Sequence, residues 1–174
     1  MAGADEMGRA IVRYLKSELE NVHITVVERN RELAEKFLDK FPDADLIVGD
    51  VADPDTLDRA KLKYADVFIA TTGSDTINIV SALLAKRKGV NTVIVKLSHP
   101  EYEDLAKALG INMIVSPYES TAIQIGMLLR SPGLTEIISL IRRGMDFIEL
   151  SVNPGSKYDG ARVDTLANKD SHPL

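Results

Sequence analysis

The sequence predicts an α/β fold built on a doubly wound parallel sheet. Short apolar strands alternate with amphipathic helices along most of the chain, and the connections between them are short. Right-handed crossovers would then place every strand-to-helix loop at one edge of the sheet, where ligands bind. A glycine-bounded turn near the start, followed by a strand that ends at an acid, indicates that this edge binds a nucleotide.

The chain opens with a helix. Apolar residues within Met7–Leu19 recur at helical spacing, and Asp5 can cap the helix. The β-branched run His23–Val27 predicts the next strand. Arg31–Lys40 carries one apolar helical face, and Asp45–Val48 is a short apolar strand.

The middle of the chain repeats this alternation. Asp53 and Pro54 are typical of a helix start, with an N-cap followed by proline in the first turn. Val67–Ala70 predicts a buried strand, and Thr76–Arg87 a helix that we expect Asp75 to cap.

The last strands of the sheet follow at similar intervals. Thr92–Val95 predicts a strand, Glu101–Leu109 a helix ending at Gly110, and Met113–Val115 another strand. These elements complete a nucleotide-binding domain over residues 1–118.

The pattern changes after residue 118. Two apolar helices, Glu119–Leu129 and Leu134–Ile141, follow with only a Ser-Pro-Gly turn between them. We interpret residues 119–145 as a crossover hairpin that a second copy of the chain covers. Phe147–Val152 resembles a strand, so residues 146–174 would begin a small, incomplete subdomain.

Composition excludes several classes of function. The chain has 174 residues, 45% of them hydrophobic, and a net charge of -5, which argues against binding nucleic acid. There is no cysteine for disulfides or thiolate metal sites. We see neither a membrane-spanning run nor a signal peptide, and expect a cytoplasmic protein without direct membrane insertion.

The glycine turn is the first candidate binding element. Gly3 would make the tight turn and Gly8 would allow close helix packing, while Glu6 and Met7 open the helix. Asp5 stands where the middle glycine of the fingerprint is expected, and its charge would repel a nearby phosphate by about a kcal/mol. The turn is therefore either a working nucleotide site or an inherited turn that binds poorly.

Two acidic strand ends extend the candidate site. Glu28 could accept hydrogen bonds from a ribose diol, which favours NAD or an adenosine nucleotide over NADP, although Arg29 beside it weakens that preference. The alternative is a solvated strand end. Asp50, before Val51, could hold an adenine amino group or only shape its loop.

Polar residues after the third and fourth strands complete the candidate edge. The loop Thr71-Thr72-Gly73 offers hydroxyls and amides, and Asn78 could face the cleft from the next helix. Lys96 could meet a phosphate or be a solvated lysine.

Catalytic groups are hard to find. His23, His99 and His172 are not spaced from acids or each other as metal ligands are, and only His99 could serve as an acid or base. No serine nucleophile elbow, Tyr-x-x-x-Lys pair or Walker-type loop occurs. We therefore expect a sensor rather than an enzyme.

Over about residues 3–145 the chain resembles the RCK domain, also called KTN or Trk-type regulator. The segments that carry the resemblance are Gly49-Asp50 with Asp53-Pro54, Ala70-Thr71-Thr72 with Asp75 and Asn78, His99-Pro100-Glu101-Tyr102, and Gly110–Pro117. The resemblance implies a Rossmann-like cytoplasmic module that regulates a potassium channel or transporter, dimerises through its hairpin and can assemble as a ring.

The resemblance also implies that NAD(H) or an adenine nucleotide (ATP, ADP or AMP) occupies the cleft and biases the gate. It adds Glu119, where the cleft would meet the crossover helix. The full set of candidate contacts is Gly3, Asp5, Glu6, Met7, Gly8, Glu28, Arg29, Asp50, Val51, Thr71, Thr72, Gly73, Asn78, Lys96 and Glu119.

The chain departs from the family pattern at Asp5 and by lacking the family's first strand, so we expect the phosphate turn to be without its usual anchor. The chain would then be a fragment, or one whose start was assigned late. Two other functions stay open at this point. One is a small NAD-dependent oxidoreductase, and the other is an assembly module with a non-functional cleft.

Overall fold

The computed structural model of the protein describes residues 1–130. Within that range strands and helices alternate as predicted. The strands are β1 (Thr25–Glu28), β2 (Asp45–Val48), β3 (Val67–Ala70), β4 (Thr92–Lys96) and β5 (Met113–Val115). The α-helices are α1 (Glu6–Glu18), α2 (Arg31–Leu38), α3 (Pro54–Arg59), α4 (Asp75–Arg87), α5 (Glu103–Ala108) and α6 (Pro117–Arg130).

All strand pairs are parallel. β1 pairs with β2, β3 with β4, and β4 with β5. Ala2 joins the two halves through parallel bridges to Val27 and Ala70, which gives the order β2-β1-Ala2-β3-β4-β5. Its N–H donates to the C=O of Ile69 (2.8 Å), and the N–H of Gly3 donates to that of Val27 (2.9 Å). The expectation of an unanchored phosphate turn is therefore wrong, because Ala2 and Gly3 hold the turn to both neighbouring strands.

The sheet is covered on two faces, as a doubly wound fold requires. Successive residues of a strand point to opposite faces. Val26 accordingly packs in a core with Val12 of α1 and Phe37 of α2, whereas Val27 packs in a larger core with Leu57 of α3. The larger core extends to residues of α4 and α5.

The helix starts follow local capping chemistry, with one correction. Asp5 accepts from the N–H of Gly8 (3.0 Å), and Asp53 caps α3 through the N–H groups of the first turn. The prediction that Asp75 caps α4 is wrong, because Ser74 is the N-cap and accepts from the N–H of Ile77. Asp75 is the first helical residue, and its carboxylate turns to a neighbouring loop instead.

Two short 3₁₀ segments, Leu62–Tyr64 and Pro100–Tyr102, were not predicted, and the second shortens α5 at its start. The prediction of a helix over Glu101–Leu109 thus holds only for its central part.

Helix α6 is the first helix of the predicted hairpin. The second hairpin helix, Phe147–Val152 and the start of a subdomain lie outside the described residues, and the three domain boundaries stay predictions. In the part of the chain that the structure describes, no helix has the length and apolar character needed to cross a bilayer.

Candidate functional site

The turn between Ala2 and α1 depends on two glycines. Gly3 has φ +101°, and a Cβ there would lie 3.2 Å from the backbone of Thr71 and Thr72. A Cβ on Gly8 would lie 2.3 Å from the carbonyl oxygen of Gly3. The packing of the turn on α1 therefore leaves no room for a side chain at Gly8, while Gly3 combines a tight contact with the end of β3 and a positive φ that favours glycine. This is how a turn brings backbone N–H groups close to a ligand at a helix N-terminus.

Acidic side chains surround this helix N-terminus. The Asp5 carboxylate lies across the first turn of α1, where it accepts a hydrogen bond from the N–H of Gly8. Glu6 is exposed and pairs with Arg9 (2.6 Å), whose hydrogen bond and positive charge lower the pKa of that carboxyl. Within residues 1–130 no ion pair offsets the charge of Asp5 at this helix N-terminus.

Glu28 connects the turn to the end of β1. Its Oε2 accepts from the N–H of Ala4 (2.9 Å), and its Oε1 accepts from the N–H of Asn30 (2.7 Å). The carboxylate is thus held by two backbone groups rather than free in solvent. Each oxygen keeps a further lone pair, so the group can still accept from a diol placed beside the turn.

The ends of β1 and β2 form the next part of the edge. Arg29 Nη1 lies 3.9 Å from Asp50 Oδ2, and both side chains are accessible. Asp50 also accepts from the N–H of Ala52 (2.8 Å), which shapes the loop after β2. Val51 is different, since it is buried in the larger core and its side chain does not face the edge as a ligand contact would.

The polar loop after β3 is largely satisfied within the protein. Thr71 is buried, and its hydroxyl donates to the C=O of Ala2 (2.9 Å). The hydroxyl and N–H of Thr72 both donate to Asn78 Oδ1, at 2.7 and 2.9 Å. Asn78 Nδ2 donates to the C=O groups of Thr72 (3.1 Å) and Lys96 (3.0 Å). Asn78 therefore joins the ends of β3 and β4 from inside the protein, and Gly73 and Ser74 are the exposed residues of this loop.

Sequence reasoning missed a carboxylate–imidazole pair beside these hydrogen bonds. Asp75 is almost fully buried and accepts from the N–H groups of Ser98 and His99 (3.0 Å each) and from His99 Nδ1 (2.7 Å). Burial alone would raise the pKa of Asp75, but these hydrogen bonds and the imidazole lower it. The available signal was topological, because parallel β3 and β4 place the two following loops side by side.

Two residues of the candidate set, Lys96 and Glu119, lie farther from the turn along the chain. The Lys96 side chain is half-buried at the end of β4. Glu119 is exposed in the first turn of α6, where its N–H donates to Ser116 Oγ (3.4 Å), and no contact among the described residues brings it to the turn or to Glu28. No group of three or more metal-ligating side chains occurs within residues 1–130.

Comparison with known sequences gives consistent matches. The family model described as TrkA-N domain matches residues 1–117. A Trk system potassium uptake protein TrkA homolog of Archaeoglobus fulgidus is 33% identical over 170 residues, which are 95% of this chain and 38% of that protein. Its counterpart in Pyrococcus abyssi is 31% identical over 172 residues, or 94% of this chain and 73% of that protein. TrkA of Vibrio alginolyticus is 31% identical over 86% of this chain, and the chain spans only 32% of it.

Comparison with solved structures agrees with the sequence matches. The TrkA-N domain of the inner membrane protein ybaL from Escherichia coli superposes with a TM-score of 0.66 at 18% identity, over 74% of this chain and 93% of that one. This likeness establishes the fold. GsuK bound to ADP superposes with a TM-score of 0.56 at 26% identity, over 66% of this chain and 30% of GsuK. The GsuK channel bound to NAD matches with the same TM-score and identity, over 66% of this chain and 20% of that one.

Proposed function

Because this chain belongs to the TrkA-N domain family, we propose that it is a nucleotide-sensing regulatory domain of a potassium uptake system. The observation that carries the proposal is the hydrogen bond between the Glu28 carboxylate and the N–H of Ala4. Through this hydrogen bond the Glu28 carboxylate lies directly beside the glycine turn at the N-terminus of α1, where we propose that it accepts from a ribose diol. Relatives named for potassium uptake and the GsuK structures with ADP and NAD support the choice of ligand and of system.

The proposed ligand is NAD(H) or an adenine nucleotide. The adenosine would lie over the ends of β1 and β2, its ribose at Glu28 and its base near Arg29 and Asp50. A phosphate would approach the N–H groups of the first turn of α1, with Lys96, half-buried at the end of β4, as the proposed cation. The charge of Asp5 favours ligands that place little negative charge over that turn.

Isothermal titration of the chain with NAD, NADH, ATP, ADP and AMP tests the ligand proposal. We expect at least one of them to bind, and Glu28→Gln to weaken that ligand by about tenfold through loss of a charge-assisted acceptor. Glu18→Gln is the matched control, since it lies twelve residues beyond Glu6 on α1, about 18 Å along the helix. Absence of heat with all five nucleotides would contradict nucleotide sensing.

We also propose that the domain acts as a homodimer, alone or within a ring, on the cytoplasmic side of a membrane-embedded channel or transporter. Helix α6 supports this, because its apolar residues Ile123, Ile125, Met127, Leu128 and Leu129 are exposed in the single chain, Leu129 at 81%. A second copy of α6 and the residues after it is the proposed cover. Ligand binding would then favour one arrangement of the dimer over another.

Light scattering tests the dimer. Ile125→Glu or Leu129→Glu should give monomers, because an unpaired charge in an apolar interface costs several kcal/mol. Glu119→Gln, also exposed on α6, is the control and should leave the mass unchanged. A wild-type chain that is monomeric at tens of micromolar would contradict the dimer.

The proposed role is regulatory and not catalytic. The only histidine at the cleft edge among the described residues is His99, whose ring is engaged by Asp75. An oxidoreductase would require a substrate-dependent change in nicotinamide absorbance that His99→Ala abolishes, and we expect no such change.

A further inference from the structure

His99 lies at the carboxyl edge of the sheet, in the loop that follows β4. Its side chain is 63% exposed, whereas the Asp75 side chain to which it is bound is 3% exposed. The Tyr102 ring packs edge-on against the imidazole, with the ring centroids 6.3 Å apart. The loop therefore presents an imidazole that is accessible and yet held in one orientation.

The Asp75 carboxylate determines which nitrogen of His99 carries the proton. Its oxygens accept from the N–H groups of Ser98 and His99, and Oδ2 lies 2.7 Å from His99 Nδ1. Burial opposes the ionisation of Asp75, but these hydrogen bonds hold its pKa below the ordinary value. Because an ionised carboxylate only accepts, we assign the proton to Nδ1, which leaves a lone pair on Nε2 of the neutral ring.

The fold makes no use of His99 Nε2. The backbone N–H groups of Ser98 and His99 already satisfy Asp75 and join the loop after β4 to the start of α4. Nε2 forms no hydrogen bond within residues 1–130. An acceptor that is oriented from behind and left open is the kind of polar group that fixes a ligand in a binding site.

The position of His99 determines which part of a ligand it can contact. Ala2 and β3 separate β1 from β4, so the ends of β1 and β4 are three strand spacings apart, roughly 14 Å. With its ribose at Glu28, AMP ends one phosphate beyond that ribose. A dinucleotide continues past its phosphates into a second nucleoside, whose hydroxyl and amide groups donate. ATP also extends, but its phosphate oxygens only accept and do not match a lone pair on Nε2.

We propose that His99 is a specificity-determining contact for the second nucleoside of a dinucleotide such as NAD, with Nε2 accepting from a ribose hydroxyl or a carboxamide N–H. Asp75 is a positioning residue, because it holds the proton on Nδ1. This inference rests on the proposed nucleotide site and adds that the site selects a dinucleotide over AMP.

Titration calorimetry of NAD, AMP and ATP with the variant His99→Asn is the first test. The asparagine amide can take the place of Nδ1 and donate to Asp75, so this change removes Nε2 and keeps the buried carboxylate partnered. The unmodified chain should bind NAD more tightly than AMP. His99→Asn should weaken NAD by about tenfold, the loss of one hydrogen bond, and change AMP by less than about twofold.

His23→Asn is the matched control. The His23 ring also pairs with a carboxylate, that of Asp45 (3.1 Å), but it lies before β1 at the opposite edge of the sheet. Both affinities should be unchanged in this variant.

Nitrogen NMR of the imidazole rings tests the same contact without relying on a change in affinity. We expect the His99 proton on Nδ1 in the unmodified chain and on Nε2 in Asp75→Asn, whose amide donates to Nδ1. Saturating NAD, but not AMP, should shift the Nε2 resonance of His99 in the unmodified chain. A proton that stays on Nδ1 in Asp75→Asn would overturn the positioning role of Asp75.

The outcomes separate this proposal from nucleotide sensing itself. NAD binding no tighter than AMP binding, equal losses of the two in His99→Asn, a loss confined to ATP, or an Nε2 resonance that NAD does not shift would overturn the role of His99 and leave nucleotide sensing intact. Absence of binding of every nucleotide to the unmodified chain would remove the underlying site, and this proposal with it.

Discussion

The two sides of the candidate edge are held together by different groups. At the cleft end, β1 and β3 are joined through Ala2 and Gly3 by backbone hydrogen bonds, to which the Thr71 hydroxyl adds one more. At the next pair of strands, the Asn78 side chain joins the ends of β3 and β4. The comparison teaches that a few specific contacts, some from the backbone and some from one side chain, hold this edge.

Because so few contacts hold the cleft end, single substitutions there should have large effects. Gly8→Ala should have the largest, since its Cβ would meet the Gly3 carbonyl oxygen at 2.3 Å and backbone must shift. We expect a loss of about 3 kcal/mol in the free energy of unfolding, measured by urea denaturation.

The control for Gly8→Ala is Gly73→Ala, which lies at the same edge with nothing within 4 Å of the added Cβ. Its stability should stay within about 0.5 kcal/mol of the original chain. Similar losses for the two variants would show that the close packing of turn and helix is not what holds this end.

The second largest loss of stability is expected on removal of the Asn78 side chain, which joins the ends of β3 and β4. Asn78→Ala leaves the N–H of Thr72 and the C=O of Lys96 without this partner, so we expect a loss of about 2 kcal/mol in urea denaturation. The exposed Asn91→Ala should be nearly neutral. If Asn78→Ala is also neutral, the ends of β3 and β4 are held together by the sheet alone.

Removing the charge of Asp75, which pairs with His99, should have the smallest effect on stability, and this effect should depend on pH. A carboxyl whose pKa is lowered on folding contributes stability that is present above its unfolded pKa, near 3.8, and is lost as the pH falls through the folded value. Asp75→Asn should therefore cost about 1 kcal/mol at pH 7 and less at pH 3. The exposed Asp43→Asn provides the baseline, and a cost for Asp75→Asn that does not change with pH would exclude this origin.

Most of the architecture was predictable from local patterns. β2, β3 and β5 begin and end at the predicted residues, and the caps at Asp5 and Asp53 are confirmed. The doubly wound Rossmann-like fold and the resemblance to Trk-type regulators are confirmed as well. Period-two and helical apolar spacing are local properties, so a single sequence is enough to read them.

The candidate site was predictable as an edge but not as a set of contacts. Glu28 and the two glycines lie where the motif places them, because strand ends and helix starts converge in any parallel sheet. The use of Thr71, Thr72 and Asn78 as internal partners was not predictable. Each of these residues forms a hydrogen bond with a group that lies 6 to 69 residues away in the chain.

Sequence alone thus determined the class of fold, the edge at which we propose that a ligand binds and the acidic character of that edge, since all three follow from the order and composition of short segments. Only the tertiary structure decided how Ala2 anchors the turn, that Asp75 meets His99, and that Asn78 joins the ends of β3 and β4. These features arise where backbone groups from distant segments face each other, and their hydrogen bonds leave no periodic trace in the side chains.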